Sequence, residues 1–162
     1  MGRSQTRDTP TRPLYTAEQR ARRDGTVWTL VQGILAPVQF VIFLVSLVLV
    51  VRYLMTGEGY AIATASVLLK TAALYLIMVT GAIWEKVVFG QYLFAPGFFW
   101  EDVFSFGVIA LHTLYLYGLF AGTMAPQTLM AVALAAYAAY VINAGQFLWK
   151  LRVARLQSEL PA

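Results

Sequence analysis

The sequence predicts an all-α integral membrane protein, a bundle of four transmembrane helices with both termini in the cytoplasm. Of its 162 residues 59% are apolar and only 12% are charged, about half the charged share of a soluble domain. The 123 residues from position 27 to 149 contain seven of the twenty charged residues. A soluble domain with so few charges would have a mostly apolar surface, so a soluble domain is excluded. The composition therefore predicts an integral membrane protein with short polar ends.

Four apolar stretches account for the predicted helices, at residues 27–51, 61–84, 103–120 and 126–149. Each is close to or longer than the length of about 20 residues that a helix needs to cross the hydrocarbon core. Turn residues separate them, such as those at 56–59 and 122–126. Backbone groups in lipid must hydrogen-bond within their own segment, which requires helices, and the short connections make neighbouring helices antiparallel.

Positive charge predicts the orientation of the bundle. The segment 1–26 contains six arginines, and the segment 150–162 contains one lysine and two arginines. The loops on the opposite side carry only Arg52 and Glu58. Basic residues favour the cytoplasm, so we expect a basic cytoplasmic N-terminal segment (1–26), a transmembrane domain (27–149) and a basic cytoplasmic tail (150–162). The four tryptophans fall at helix ends on that same side: Trp28, Trp84, Trp100 and Trp149.

Several classes of chemistry are excluded by composition. Without cysteine there is no disulfide scaffold, zinc–cysteine module or iron–sulfur cluster. One histidine cannot supply the two axial ligands of a membrane cytochrome. The sequence has no phosphate-binding glycine loop and no HExxH motif. Nucleic-acid binding is not supported, because the positive charge is explained by topology.

The connection between the second and third spans is unusually aromatic. Residues 84–106 read WEKVVFGQYLFAPGFFWEDVFSF and contain nine of the chain's twenty-three aromatic residues. We expect the cytoplasmic loop 85–101 to lie in the headgroup layer or to fold back into the bundle. Its chemistry suits a large, flat, apolar ligand that arrives from the membrane, although membrane anchoring alone is the alternative.

Polar side chains within the spans are costly and by default indicate function. Helical spacing places these polar residues on shared faces. By span, the faces contain Gln32 and Gln39 in the first; Asp102, Ser105 and His112, together with the apolar Ile109, in the third; and Asn143, Gln146 and Lys150 in the fourth. We expect these faces to converge and, with Glu85 and Glu101, to line a cavity that opens to the cytoplasmic side.

Each of these candidates also has a purely structural interpretation. Glu101 and Asp102 could cap the N-terminus of the third helix, where the helix dipole favours carboxylates. Glu85 and Lys86 could form an interfacial anchor pair. His112 and the amide side chains could hydrogen-bond between helices. Lys70 is expected to extend its amine to the far interface.

Four segments of the sequence resemble a known family: RPLYTAEQRARRD at 12–24, WTLVQGILAPVQF at 28–40, GAIWEKVVFGQYLFAPGFFWEDVFS at 81–105 and YVINAGQFLWKLR at 140–152. They are similar to the 3-vinyl bacteriochlorophyllide hydratases, small membrane enzymes of bacteriochlorophyll biosynthesis in phototrophic bacteria. The resemblance covers residues 12–156. It implies a multi-pass protein of the bacterial inner, photosynthetic membrane, a chlorophyllide-type tetrapyrrole substrate and contact with other pigment-biosynthesis enzymes.

The implied reaction adds water to the vinyl group on ring A of a magnesium chlorophyllide and gives a 1-hydroxyethyl group. It needs a general acid and a general base but no redox cofactor or metal of the enzyme's own. Glu85, Glu101 and Asp102 are the catalytic candidates, with acid and base not assigned. The substrate-binding candidates are Gln32, Gln39, Trp100, His112, Asn143 and Gln146.

His112 could serve as the base or, as we prefer, ligate the substrate magnesium. Lys86, Lys150 and Arg152 could meet the substrate's propionate. A pigment-binding chaperone with the same cavity is the non-catalytic alternative. A four-span transporter is less favoured, because no carboxylate lies near the midplane.

Overall fold

The computed structural model describes residues 12–159, which form five α-helices and no strand. The helices are α1 (Ala17–Gly25), α2 (Val27–Thr56), α3 (Tyr60–Phe89), α4 (Phe99–Phe120) and α5 (Pro126–Glu159). The helices α2 to α5 are long and apolar enough to cross a membrane, which confirms the all-α prediction with four candidate spans. Arg3 and Arg7 of the predicted basic segment lie outside the described residues.

Local sequence signals explain where several of these helices begin and end. The side chain of Thr16 accepts a hydrogen bond from the backbone amide of Gln19, and the Gln19 side chain accepts one from the Thr16 amide. This capping box satisfies two otherwise unpaired donors at the start of α1. Gly57 and Gly59 have φ values of 73° and 82°, which glycine adopts without steric cost. They reverse the chain between α2 and α3.

The helices extend beyond the apolar stretches of the sequence. α2 continues to Thr56, α3 to Phe89 and α5 to Glu159, while α4 begins at Phe99. The connection expected at 85–101 therefore contracts to residues 90–98, and the expected tail is helical as far as it is described. Apolarity ends where a span leaves the hydrocarbon, but helical hydrogen bonding continues among polar residues.

Two antiparallel helix pairs build the bundle. α2 packs along α3 and α4 packs along α5, while contacts of α2 with α5 and of α3 with α4 join the pairs. Phe43, Val67, Tyr115, Met130 and Tyr137 lie in the buried core. Large apolar side chains such as those at 30, 48, 55 and 148 are exposed on the outside. An apolar outer surface around a packed interior is the arrangement expected of a bundle in lipid.

Candidate functional site

Three carboxyl groups are buried together where α3 ends and α4 begins. Glu85, Glu101 and Asp102 are only 4%, 5% and 3% exposed. Glu85 and Asp102 are neighbours, since they accept hydrogen bonds from the consecutive backbone amides of Ala95 and Phe94. Two neighbouring carboxyls hold one proton between them more readily than two negative charges. The structure thus places three acid–base groups at one end of the bundle.

The aromatic loop 90–98 folds back onto two of these carboxyls. The backbone amide of Phe94 donates to Asp102 Oδ2 over 2.8 Å, and the amide of Ala95 donates to Glu85 Oε2 over 3.3 Å. Phe94 has a φ of 60°, in the left-handed region, which is uncommon for a residue other than glycine. Of the two arrangements expected for the loop, the structure has the folded-back one.

Glu101 and Asp102 lie in the first turn of α4, where the helix dipole favours carboxylates, but neither is the N-cap residue. The N-cap position of α4 is Phe98, which makes no side-chain capping hydrogen bond. Asp102 instead accepts a hydrogen bond from the loop amide of Phe94. Glu85 is not an anchor pair with Lys86 either, since Lys86 Nζ donates to the carbonyl oxygen of Gly90 over 2.9 Å.

Glu101 has different surroundings from the other two carboxyls. Its Oε1 lies 3.7 Å from Lys150 Nζ, and the same ammonium group donates to the carbonyl oxygen of Gly97 over 2.7 Å. The other oxygen, Oε2, is buried and has no hydrogen-bond partner among residues 12–159. A buried acceptor without a donor is costly and therefore calls for a functional explanation.

Asn143 joins the carboxyl cluster from α5. Its amide nitrogen donates to the backbone carbonyl of Glu101 over 2.9 Å, and its oxygen accepts from Ser105 Oγ over 3.1 Å. Gln146 lies 3.4 Å away through its side-chain oxygen. The expected convergence of the α4 and α5 faces is present here.

The predicted open cavity is not found at this cluster. Two shallow, open grooves of about 420 and 320 Å³ lie on the apolar outer surface of α2 among residues 44–56. At the carboxyl cluster the loop 90–98 occupies the place where an opening was predicted, because the loop amides bind the carboxylates directly.

A second polar group lies deeper in the bundle. Lys70 is completely buried, and its Nζ donates to Gln39 Oε1 over 3.0 Å. The same Nζ lies 3.6 Å from the centre of the Tyr140 ring, within the range of a cation–π contact. The prediction that Lys70 extends to the far interface is therefore wrong, because two partners hold its amine inside. Gln39 is committed to this contact.

His112 lies on the α4 face shared with Asp102, but ten residues further along, about 15 Å of helix. Its Nδ1 is 2.8 Å from the carbonyl oxygen of Val108. A carbonyl can only accept, so Nδ1 carries the proton and Nε2 has the free lone pair. Nε2 is buried and has no partner among the described residues. The structure thus separates His112 from the carboxyls.

Two further candidates lie outside the carboxyl cluster. Gln32 Nε2 donates to Thr80 Oγ1 over 2.6 Å and so links α2 to α3. Trp100 is 67% exposed, with its ring against that of Phe99. Gln32 has the contact of an interhelical hydrogen bond, whereas Trp100 presents its indole to the surroundings of the bundle.

An N-terminal cover over this end of the bundle was not predicted. Tyr15 is buried, with its ring stacked on that of Phe89 at 5.7 Å between centres and tilted against that of Phe98 at 6.4 Å. Arg22 Nε donates to the carbonyl oxygen of Val88 over 3.0 Å. Burial raises the pKa of the Tyr15 hydroxyl, and the Arg23 guanidinium opposes that rise. The only sequence signal was an aromatic residue directly before the capping box.

These features define a class: a small helical bundle with the exterior of a membrane protein and a buried acid–base cluster under an aromatic loop. The sequence profile of the 2-vinyl bacteriochlorophyllide hydratases matches residues 15–153, and the chain belongs to this family. The terms 2-vinyl and 3-vinyl are equivalent wording, so the resemblance is confirmed. Hydratases of this kind are hydro-lyases, enzymes that add water to a double bond.

Two curated relatives agree with this assignment. The 2-vinyl bacteriochlorophyllide hydratase of Cereibacter sphaeroides is 76% identical over 151 residues, which cover 93% of each chain. The protein of the same name from Rhodobacter capsulatus is 75% identical over 146 residues, 90% of this chain and 84% of the relative. No solved structure shows significant similarity to the chain.

Proposed function

We propose that this protein adds water across the 3-vinyl group of a magnesium chlorophyllide or bacteriochlorophyllide, giving the 3-(1-hydroxyethyl) product in bacteriochlorophyll biosynthesis. The observation that carries the proposal is the burial of Glu85, Glu101 and Asp102 side by side at one end of an apolar bundle. The family and the names of its relatives support this choice of substrate class.

Acid–base catalysis by the carboxyl groups accounts for the reaction. A carboxylic acid protonates the terminal vinyl carbon, and the resulting cation at the inner carbon is delocalised into the macrocycle. Water attacks that carbon while a carboxylate removes one of its protons. Hydration changes no electron count, so we propose that the protein needs no redox cofactor and that the only metal is the magnesium of the substrate.

The aromatic loop is the proposed docking place of the macrocycle. Tyr92, Phe94, Phe99 and Trp100 are between 39% and 67% exposed, which presents flat apolar surface at the cluster. Because Phe94 and Ala95 bind the carboxyls, the substrate gains access when those contacts open. The cationic groups of Lys86 and Arg152 are proposed to attract the propionate carboxylate of the pigment.

The other substrate-binding roles follow from where the side chains lie. Asn143 and Gln146, at the carboxyl cluster, are proposed to hold the reacting water or a ring carbonyl. Gln32 and Gln39 would take part only after leaving Thr80 and Lys70. For His112 we propose ligation of the substrate magnesium through Nε2.

We further propose that the protein spans the bacterial inner membrane four times, with the basic ends 1–26 and 150–162 and the loop 90–98 on the cytoplasmic side. The absence of cysteine permits a direct test. Single cysteines at Ser158 and Thr123, both exposed, should react with a membrane-impermeant maleimide from opposite sides. Labelling of both from the same side of sealed vesicles would overturn the orientation.

Activity is tested with the full-length protein in detergent or lipid nanodiscs. Purified protein incubated with the vinyl chlorophyllide should shift the pigment absorption to the blue as vinyl conjugation is lost. In isotopically labelled water, the product should gain one labelled oxygen. A pigment that binds but never gains water would instead indicate a pigment chaperone and would overturn the hydratase proposal. Copurification with other pigment-biosynthesis enzymes would test the proposed contact with them.

A further inference from the structure

We infer that Lys150 is a positioning residue that holds Glu101 as the ionised general base and leaves the Glu85–Asp102 pair as the general acid. The inference rests on the proposed hydratase activity and deepens it, since it assigns roles to carboxyls that sequence alone cannot distinguish.

The contacts of the three carboxyls divide them into two kinds. Glu101 lies 3.7 Å from a cation, Lys150 Nζ, and Coulombic attraction favours the charged form of a carboxyl beside an ammonium group. Glu85 and Asp102 accept hydrogen bonds from the consecutive loop amides of Ala95 and Phe94, and among residues 12–159 neither forms an ion pair. A shared proton relieves the repulsion between two such carboxyls.

The free oxygen of Glu101 fits the role of base. Oε1 faces Lys150, while Oε2 is buried and accepts no hydrogen bond within the described chain. A water molecule bound at Oε2 would donate one hydrogen to it and satisfy this acceptor. Asn143 anchors the backbone carbonyl of Glu101, which fixes the start of the side chain. The base is thus held by two residues of α5, Asn143 and Lys150.

The assigned roles balance the reaction. The proton shared by Glu85 and Asp102 passes to the terminal vinyl carbon, whose π electrons form the new C–H bond. A lone pair of water forms the C–O bond at the inner carbon, and the surplus water proton passes to Glu101 Oε2. Return of that proton from Glu101 to the neighbouring pair restores the starting state. The net change is the addition of one water molecule.

The ammonium group of Lys150 contacts protein groups, which favours a role at Glu101 over binding of the substrate's propionate. Its Nζ donates to the Gly97 carbonyl over 2.7 Å and faces Glu101 at the same time. Its side chain is 35% exposed, whereas that of Glu101 is 6% exposed. Lys150 therefore also joins the aromatic loop to the base, and its sequence-based role at the propionate is replaced here by a role at Glu101.

The test compares Lys150→Arg, Lys150→Gln and Lys150→Met in full-length protein with the vinyl chlorophyllide. Glutamine keeps a donor for the Gly97 carbonyl but removes the charge, and methionine removes both. We expect Lys150→Gln to lower kcat at least about 10-fold with KM unchanged, and Lys150→Arg to restore most of the rate. Arg155→Gln is the matched control, because it removes an exposed α5 charge whose ion-pair partner among residues 12–159 is Glu159.

A double-mutant cycle tests whether Lys150 acts through Glu101. In the Glu101→Gln background, Lys150→Gln should cause no further loss of kcat, because the carboxylate it serves is gone. Additive losses would overturn the inference, as would a raised KM with normal kcat, which indicates propionate binding. If Glu101→Gln has no measurable rate, the kcat and KM of Lys150→Gln and the rescue by arginine decide alone.

A readout without turnover separates this inference from the hydratase proposal. Infrared difference spectra report the C=O stretch of a protonated carboxyl, and a band that disappears on Glu101→Gln, made both in the wild type and in Lys150→Gln, is the band of Glu101. At neutral pH this band should be absent in the wild type and present in Lys150→Gln. Its presence in the wild type, or its absence from both, would overturn the Lys150 inference even if the enzyme is active. A wild type that forms no product overturns the hydratase proposal instead.

Discussion

The Oδ2 atom of Asp102 accepts a 2.8 Å hydrogen bond from the backbone amide of Phe94. The carboxyl group of Asp102, which we propose takes part in proton transfer, therefore also holds the aromatic loop in place. The two tasks can be separated chemically, because an amide oxygen accepts the same hydrogen bond but cannot supply an acidic proton.

Asp102→Asn should keep the loop in place and lose the reaction. We expect kcat to fall at least about 100-fold, the usual contribution of a general acid, while hydrogen exchange at the Phe94 amide stays slow. Absorbance of the pigment product measures the rate, and mass spectrometry measures the exchange.

Asp102→Ala is the companion variant, since it removes both the acid and the acceptor. Exchange at the Phe94 amide should then accelerate in addition to the loss of rate. A wild-type kcat in Asp102→Asn would remove Asp102 from the proposed acid pair. Unchanged exchange in Asp102→Ala would show that the loop is held by other contacts.

The contact between Lys70 and Gln39 predicts a non-additive effect on stability. Gln39→Leu leaves the buried Lys70 amine without its acceptor, which should cost about 1–3 kcal/mol and lower Tm. The double variant Lys70→Met/Gln39→Leu replaces both polar groups by apolar ones of similar size. Its Tm should return to the wild-type value or exceed it, because buried polar pairs are often replaceable as a unit.

Thermal unfolding in one detergent, followed by circular dichroism, measures these three proteins side by side. A double variant less stable than Gln39→Leu alone would mean that Lys70 stabilises the bundle without Gln39, for instance through Tyr140. Turnover of the double variant is a second readout, which tests whether Gln39 has the substrate-binding role proposed for it.

The sequence predicted the positions of the helices far better than the side-chain contacts between them. Hydropathy located the four long helices, because that signal is local. The spacing of Asp102, Ser105 and His112 correctly placed all three on a buried face. Which neighbour each face meets depends on how the helices rotate against one another, so the pairing of Lys70 with Gln39, 31 residues apart, could not be read from the sequence.

Backbone groups explain most of what was missed at the site. The donors to Glu85 and Asp102 are main-chain amides of the loop, and a main-chain amide has no signature in a sequence. The predicted cavity depended on the loop leaving this end of the bundle open. The left-handed conformation of Phe94 could not be predicted from the sequence either, because glycine is the residue that normally indicates such a conformation.

The stacking of Tyr15 on Phe89 predicts how firmly the N-terminal segment is attached. Tyr15→Ala removes a buried ring next to Phe89 and Phe98, a loss of about 3–5 kcal/mol for large aromatic side chains in a core. We expect α1 to detach locally, which hydrogen exchange across Ala17–Gly25 would detect as faster exchange. Tyr15→Phe is the matched control, because the Tyr15 hydroxyl has no partner among the described residues. Slow exchange in both variants would show that other contacts, such as that of Arg22 with the Val88 carbonyl, hold the segment without the ring.

His112 predicts a difference between pigments with and without magnesium. Its Nδ1 proton is donated to the Val108 carbonyl, and a hydrogen bond from one ring nitrogen orients the other ring nitrogen as a metal ligand. We therefore expect His112→Ala to weaken binding of the magnesium chlorophyllide at least about 10-fold and to leave binding of the metal-free pigment unchanged. Equilibrium titration followed by tryptophan fluorescence measures both affinities in the same protein.

The metal-free pigment is the internal control of this experiment, because it keeps the macrocycle and the propionate but offers His112 no ligand site. Equal loss of both affinities would mean that His112→Ala loosens the bundle around Tyr137, whose ring centre is 5.9 Å away. Unchanged affinity for both pigments would exclude magnesium ligation. His112 would then be a structural residue of the core, with its buried Nε2 still without a partner in the described chain.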